Sequence, residues 1–167
     1  IADETGMEVV IIRPPLIYGP GVKGNFASMV SFVRSGVPIP LATVSNRRSL
    51  VCITNLIDLI RVCISHPAAA NNVFLVSDGK DLSTPSLLKC LAKCMGKSAN
   101  LFPFPSFILR CCFAVIGKSS IALRLLGSLQ VDMTFTQSKL NWSPPVSVEF
   151  GICSAVDVNL TESEQHD

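Results

Sequence analysis

The sequence predicts an α/β fold, and two features of the chain predict it. Apolar runs rich in β-branched residues at 8–13 and 73–76 are typical of buried strands. Segments whose apolar residues recur at helical spacing alternate with these runs. Because two buried strands make a poor sheet by themselves, we expect them to be the last strands of a larger doubly wound sheet. The remaining residues are then expected to form a smaller α+β lobe that closes over a ligand.

Capping residues predict where the helices begin and end. Asn25 is a good N-cap for a helix over 26–34, and Gly36 ends that helix. After a short strand over 49–53, Thr54 caps a helix that Pro67 stops. A further helix follows the N-cap Thr84, and two short helices broken near Gly117 are predicted over 106–126. Another helix ends at a left-handed C-cap at Asn141. The last helix is predicted over 147–158, and residues 160–167 are expected to form a frayed tail.

Composition argues against several classes of function. A net charge of +2 with scattered Lys and Arg gives no argument for a nucleic-acid partner. The most apolar window, 102–117, is broken by prolines and is too short to span a bilayer. The chain opens without the basic region and apolar run of a signal peptide. We therefore expect a soluble domain with neither a membrane nor a nucleic acid as partner.

The seven cysteines are expected to be free. Their number is odd, and they form no Cys-x-x-Cys pair. Cys90 and Cys94 lie four residues apart and could hold half a metal site, but such cysteines more often behave as small core residues. This interpretation predicts no metal and a reducing, cytoplasmic location.

A glycine-rich segment, Gly19–Gly24, spells Gly-x-Gly-x-x-Gly between a predicted strand and a helix. That context is typical of a dinucleotide-binding loop, which also needs a carboxylate about 20 residues later. No acidic residue follows until Asp58, and Pro20 removes an amide that a diphosphate would use. We therefore interpret these glycines as a tight turn beside a ligand.

The same region carries a family resemblance. The run from Arg13 to Gly21, RPPLIYGPG, ends the first predicted strand. It is expected to leave irregular backbone at the carboxyl edge of the predicted sheet, where ligands bind in α/β proteins. It resembles the Arg-Pro-x-x-x-Tyr-Gly-Pro-Gly stretch of the NAD-dependent epimerase/dehydratase family, the extended short-chain dehydrogenases that act on nucleotide sugars. The stretch 48–56 resembles a second family segment. The resemblance covers about residues 1–159 and implies the C-terminal, substrate-binding portion of a Rossmann-type enzyme, with the cofactor-binding half missing.

A third segment, Lys139–Pro144, resembles the closing Leu-Gly-Trp-x-Pro signature of the family. Asp132 stands upstream, at the position of a family Asp. We interpret this segment as structural, with Trp142 in the core and Asp132 as a helix cap.

The resemblance implies a role for five residues. It places Pro14 and Tyr18 near the cofactor. It places Asn25 against the substrate diphosphate and Leu41 in an extended segment along the uracil. Arg48 is implied to contact the diphosphate of a uridine diphosphate (UDP) sugar, which suits a guanidinium because its planar fork of donors matches phosphate oxygens.

The catalytic pair of the family is absent from the sequence. Family catalysis needs a Tyr whose phenol is acidified by a Lys four residues later. Tyr18 is the only tyrosine, and Val22 stands four residues after it. We therefore expect this chain to be inactive alone. As an intact homodimeric enzyme it would be a UDP-sugar 4-epimerase or a related 4-keto reductase, with NAD held mainly by the missing half.

Two alternatives remain open at the level of sequence. An extended dehydrogenase acting on an apolar, steroid-like hydroxyl substrate would suit the apolar stretch at 101–127, but it gives Arg48 no diphosphate. A non-catalytic, cofactor-sensing interaction module would need no catalytic pair. Upstream sequence carrying a glycine-rich loop and Tyr-x-x-x-Lys would favour the enzymes.

Overall fold

The structure, a computed structural model, describes residues 5–22 and 24–163, with side chains up to residue 156. Four strands and seven helices are formed within these residues, and the predicted α/β class is confirmed. In chain order they are β1 (Val10–Arg13), β2 (Leu16–Tyr18), α1 (Asn25–Ser35), β3 (Leu50–Cys52), α2 (Ile53–Ser65), β4 (Asn72–Leu75), α3 (Thr84–Cys94), α4 (Ser106–Val115), α5 (Ser119–Leu126), α6 (Thr134–Leu140) and α7 (Val148–Ser163).

The strands form two parallel pairs. β1 pairs with β4 and β2 pairs with β3, each across a helical crossover, as parallel strands require. Strand β2 corrects the expectation of irregular backbone after residue 13. Pro14 and Pro15 lack the N–H groups that would continue β1, but Leu16–Tyr18 stays extended and pairs with β3.

The β1–β4 pair is covered on one face only. Phe74 is fully buried on the covered face, where α2 and α6 belong to the same apolar cluster. Ile11 and Val73 are direct register partners, and both are exposed. Among the described residues, the second edge of β1 has no partner strand. These are the features of a sheet that more strands and helices can extend.

Two apolar cores divide the molecule. The first lies between α1, α3 and α7 and includes Tyr18 and Phe26, whose rings stack with centroids 5.3 Å apart. The second joins the β1–β4 pair to α2 and α6 and includes Trp142. Helix α2 carries three exposed isoleucines at helical spacing, Ile57, Ile60 and Ile64, on the side away from both cores.

Three helix starts differ from the predictions. Thr54 is not the cap of α2, because that helix begins at Ile53 with Cys52 in the cap position. The other two starts differ by one residue. Helix α1 begins at Asn25, and the cap position belongs to Gly24, which has a φ of 80°. The carbonyl of Gly24 accepts a hydrogen bond from the N–H of Ser28 at 3.0 Å. Asn25 makes no capping hydrogen bond, so its predicted role as cap is wrong. Helix α3 is capped by Ser83, whose hydroxyl accepts from the amide of Ser86 at 3.2 Å, and Thr84 is its first residue.

The helix ends follow the predictions more closely. Gly36 and Asn141 both adopt the left-handed conformation after their helices, as predicted. Helix α7 reaches Ser163, beyond the predicted end at 158, and residues 164–167 of the predicted tail lie outside the described residues. The apolar stretch before it forms α4 and α5, which are separated near Gly117 and pack against each other. No described helix is long and apolar enough to cross a lipid bilayer.

The expectation that every cysteine is free is wrong for one pair. Cys94 at the end of α3 and Cys153 in α7 form a disulfide, with their Cα atoms 5.0 Å apart. Packing of α3 on α7 brings these residues together across a separation of 59 residues, which spacing along the chain does not reveal. Cys90, expected to be a core residue, is free and half-buried.

Candidate functional site

The backbone of Arg48 is fixed from both sides. Its N–H donates to the carbonyl of Leu82 at 2.9 Å, and the N–H of Leu82 donates back at 3.0 Å. On the other side, the N–H of Ser49 donates to the carbonyl of Leu129 at 2.8 Å. The residue that leads into β3 therefore occupies a defined position between two other segments.

The guanidinium of Arg48 is anchored at the C-terminal end of α5. Its Nη1 donates to the carbonyls of Arg124 at 2.5 Å and Gly127 at 3.2 Å. Carbonyls at a helix C-terminus carry partial negative charge and suit a cation. No described carboxylate forms an ion pair with Arg48, and Nε and Nη2 bond to no described residue. Partial burial lowers the pKa of Arg48, but a guanidinium stays charged.

A buried asparagine holds the same end of α5. The Nδ2 of Asn46 donates to the carbonyls of Leu125 at 3.2 Å and Gly127 at 3.0 Å. Its Oδ1 accepts from the backbone N–H of Thr84 at 2.8 Å. Asn46 thus links the start of α3 to the carbonyl of Gly127, which also accepts from Arg48. Sequence reasoning missed this positioning residue, because a lone Asn two residues before an Arg carries no pattern.

Asn25 and Arg47 are both exposed. Since Gly24 fills the cap position, the Asn25 side chain is not used in capping α1. It therefore stands at a helix N-terminus, where backbone N–H groups favour anions. Arg47 holds its backbone position through the carbonyl that accepts from Leu129 at 2.9 Å.

Leu41 is buried, and its backbone is already hydrogen-bonded. Its N–H donates to the carbonyl of Ile39 at 2.9 Å, and its carbonyl accepts from Val44 at 3.2 Å. Both backbone groups of Leu41 are therefore already bonded within the chain. Close by in sequence, Thr43 lines an open apolar cavity of about 400 Å³ together with residues 103–107.

Tyr18 is fully buried, and its hydroxyl donates to Oδ2 of Asp78 at 2.6 Å. A direct contact between Tyr18 and a cofactor is not supported by this position. Burial first, and then the hydrogen bond to Asp78, raise the pKa of Tyr18 far above its usual value. A proton-shuttling phenol needs the opposite shift. Tyr18 therefore lacks the properties of a catalytic acid or base.

Asp78 is the centre of a buried hydrogen-bond network. Besides Tyr18, its carboxylate accepts from the amide of Cys52 at 2.8 Å and from Nδ2 of Asn55 at 2.6 Å. Asn55 in turn exchanges two hydrogen bonds with the backbone of Val146. The network ties β2, β3, α2 and the start of α7 together. The sequence indicated only an Asp-Gly pair ending a strand.

The glycine turn after β2 has a packing explanation. A Cβ on Gly19 would lie 2.5 Å from Cγ2 of Ile53, so the start of α2 requires a glycine there. The turn is closed by the N–H of Val22, which donates to the carbonyl of Gly19 at 3.3 Å. Pro14, on the link between β1 and β2, is exposed. The glycine at position 19 is therefore required by packing against Ile53.

Comparison with known proteins finds a similar enzyme. The chain is 48% identical over 152 residues to the UDP-glucose 4-epimerase of Vibrio cholerae, with 90% of the chain and 46% of that protein aligned. The chain therefore spans about half the length of this protein. No family model matches it.

Solved structures of such epimerases share the fold. The UDP-glucose 4-epimerase of Thermotoga maritima, crystallised with UDP-glucose, superposes with a TM-score of 0.70 at 21% identity, covering 97% of this chain and 49% of the other. The UDP-glucuronic acid 4-epimerase of Bacillus cereus, in complex with UDP-glucuronic acid and NAD, gives 0.72 at 18% identity, covering 96% and 48%. The predicted Rossmann-type class is confirmed, and the chain spans about half the length of these epimerases.

The closing segment, Lys139–Pro144, has the predicted core residue, but Asp132 is not the predicted cap. Trp142 is buried, and its Nε1 donates to Oδ2 of Asp58 in α2 at 2.8 Å. The cap position of α6 belongs to Met133. Asp132, one residue earlier, accepts from the hydroxyl of Thr134 at 2.6 Å and from its backbone N–H at 2.9 Å, and these two hydrogen bonds lower the pKa of Asp132.

Proposed function

We propose that this chain supplies the nucleotide-sugar-binding part of an NAD-dependent UDP-sugar 4-epimerase or a closely related 4-keto reductase. The observation that carries the proposal is the open guanidinium of Arg48, held in place by the α5 carbonyls with two nitrogens left for a ligand. The 48% identity to a UDP-glucose 4-epimerase supports the substrate class. The proposed ligand of Arg48 is the substrate diphosphate.

Asn25 is the proposed second contact to the diphosphate. Its side chain is exposed and is not used as a cap, so its amide and the first N–H groups of α1 are available to an anion. For the base, the proposed contacts are the segment at Leu41 and the neighbouring apolar cavity. Phe104 in that cavity offers aromatic surface to a uracil ring.

The cofactor is proposed to be NAD, held mainly by residues outside this chain. Pro14 is the proposed contact at the nicotinamide, because it is exposed at the carboxyl end of β1. Tyr18 is proposed to act only indirectly, by fixing β2 under the glycine turn. The proposed enzyme is a cytoplasmic homodimer whose catalytic Tyr and Lys lie outside this chain.

The proposal separates the two ligands, and titration calorimetry tests it. We expect the chain to bind free UDP saturably and to show no saturable binding of NAD, because Arg48 is available while the glycine turn is closed. Tight NAD binding would contradict the proposal that NAD is held mainly by residues outside this chain, and it would indicate that the glycine turn is a dinucleotide-binding loop.

A matched comparison of sugars sharpens the test. UDP-glucose and UDP should bind with similar affinity, whereas glucose 1-phosphate should bind far more weakly, since it lacks the nucleoside and one phosphate. Equal binding of all three would indicate a general anion site rather than a nucleotide-sugar site.

A further inference from the structure

Helix α4 lies on the outside of the molecule. None of its residues is buried, and only Leu109 and Phe113 pack against the first core. Its outward face carries Phe107, Cys111 and Val115 at helical spacing. The helix therefore attaches by a narrow inner stripe and leaves a wide outer face uncovered.

The uncovered surface of the α4–α5 hairpin is strongly apolar. The exposed fractions of its large side chains are 87% for Val115, 71% for Leu123, 67% for Phe107 and 61% for Ile116. Scattered single apolar residues are ordinary on a protein surface, but four on one short hairpin form a patch. Such a patch indicates a partner that excludes water.

Positive charge is concentrated in the part of the chain that includes the α4–α5 hairpin. Residues 82–131 contain six cations and no acidic residue, so the other residues carry eight cations against twelve acids. The region is therefore +6 and the remainder −4, which together give the net charge of +2. Arg110, Lys118 and Arg124 lie on the hairpin; all three are exposed, and none pairs with a described carboxylate.

These observations favour one occupant over two others. A second copy docked hairpin to hairpin would place cations against cations, which is unfavourable. Added strands of the sheet would join the free edge of β1, which belongs to the second core, whereas the hairpin packs on the first. A surface with anionic groups above an apolar interior complements both the cations and the apolar side chains.

We propose that the outer surface of the α4–α5 hairpin docks on an anionic lipid bilayer. Phe107 and Val115 enter the boundary between headgroups and acyl chains, as the apolar face of an interfacial helix does. Arg110 and Lys118 extend their charged ends to the lipid phosphates while their alkyl chains lie along the apolar surface. The chain is thereby held at the membrane surface without a spanning helix.

Co-sedimentation of the full chain with lipid vesicles tests the proposal. Vesicles of equimolar phosphatidylglycerol and phosphatidylcholine should bind the chain, and vesicles of phosphatidylcholine alone should bind it much less. Each cation removed from the hairpin should weaken binding about fivefold, so Arg110→Ala with Lys118→Ala should weaken it about 25-fold. The matched control, Arg61→Ala with Lys139→Ala, removes two exposed cations elsewhere and should change binding less than about twofold.

A second pair of variants separates a membrane from another polyanion. Phe107→Ser with Val115→Ser should weaken vesicle binding by at least about tenfold while leaving binding to heparin unchanged. Circular dichroism verifies that each variant stays folded, which we expect because these side chains are exposed. Equal binding to neutral and anionic vesicles would overturn the proposal. So would an unchanged affinity for anionic vesicles in the variant with Phe107→Ser and Val115→Ser. Failure to bind vesicles, with dimers seen by sedimentation velocity, would assign the patch to a second copy instead.

Discussion

Two polar centres in this molecule use charge in different ways. At Asp78, the carboxylate is buried and three donors from three elements bond to it. At Arg48, the cation is half-buried and bonds through one nitrogen to two carbonyls, with its other nitrogens unbonded to any described residue. The Asp78 centre is closed by the protein itself, whereas the Arg48 centre is open in the sense that two of its nitrogens bond to no described residue.

The contrast shows how to separate a structural polar group from a binding group. A buried polar atom that has all its partners within the chain contributes to stability and specificity of packing. A charged group held in position with unused donors is prepared for a ligand, since its orientation costs little on binding. Tyr18 belongs to the closed centre, although its sequence motif implied a cofactor contact.

Removing the carboxylate of the closed centre should have the largest effect. Asp78→Ala leaves the donors of Tyr18, Cys52 and Asn55 without an acceptor and should lower the free energy of unfolding by about 3–5 kcal/mol. Urea denaturation measures this change. The control Asp132→Ala, which removes an exposed carboxylate that accepts from Thr134, should cost about 1 kcal/mol. Similar losses for the two variants would show that the Asp78 network contributes no more than an exposed carboxylate.

Removing the cation of the open centre should affect binding more than stability. Arg48→Ala should weaken UDP binding by about 2–4 kcal/mol, the range for losing one partner of a buried charge pair. Arg48→Lys should recover only part, because an ammonium cannot offer two parallel donors. Asn25→Ala should cost about 1 kcal/mol, and the neighbouring Arg47→Ala should cost little. Equal effects at Arg47 and Arg48 would indicate a diffuse basic surface.

Crowding the closed centre from helix α7 should have an intermediate effect on stability. A Cβ on Gly151 would lie 2.7 Å from the hydroxyl of Tyr18 and 3.1 Å from Sγ of Cys52. Gly151→Ala should therefore lower the free energy of unfolding by about 1–2 kcal/mol, even though alanine favours a helix by about 1 kcal/mol. Ser154→Ala in the same helix is the control. A gain in stability at Gly151 would mean that the contact relaxes freely.

The smallest effect is expected at an exposed ion pair near the closed centre. Lys80 and Glu149 bond to each other at the surface, and the bond to Lys80 lowers the pKa of Glu149. Since the folded pKa lies below the ordinary 4.5, the stabilisation is present above that pH and is lost as the pH falls through the lowered value. Glu149→Gln should remove this slight acid dependence while leaving stability near neutral pH almost unchanged. Acid-induced unfolding of the two proteins measures it.

The sequence predicted local structure better than the positions of side chains. The strands at 8–13 and 73–76 and the glycine stop at Gly36 follow from composition and from backbone preferences that act within a few residues. Strand β2 did not follow, because its extended geometry depends on pairing with β3, more than thirty residues away.

The difference between local patterns and long-range contacts also explains which site residues the sequence indicated. The motif around Arg48 located a residue whose guanidinium keeps two nitrogens unbonded to any described residue, because the residue type itself carries the chemistry. The Asp78 network, Asn46 and the Cys94–Cys153 disulfide join residues far apart in sequence, so no local pattern indicated them. The burial of Tyr18 and Leu41 likewise results from tertiary packing.

The most direct test of the open centre is an NMR titration of the chain with UDP, observing the side-chain nitrogens of its arginines. The contrast between the two centres predicts that the Nε and Nη signals of Arg48 shift saturably, while those of Arg47 stay unchanged. The Asn55 side-chain amide, which serves the closed centre, should also stay unchanged. Shifts confined to Arg47, or saturable binding that leaves Arg48 unperturbed, would contradict the assignment of Arg48 as the diphosphate ligand.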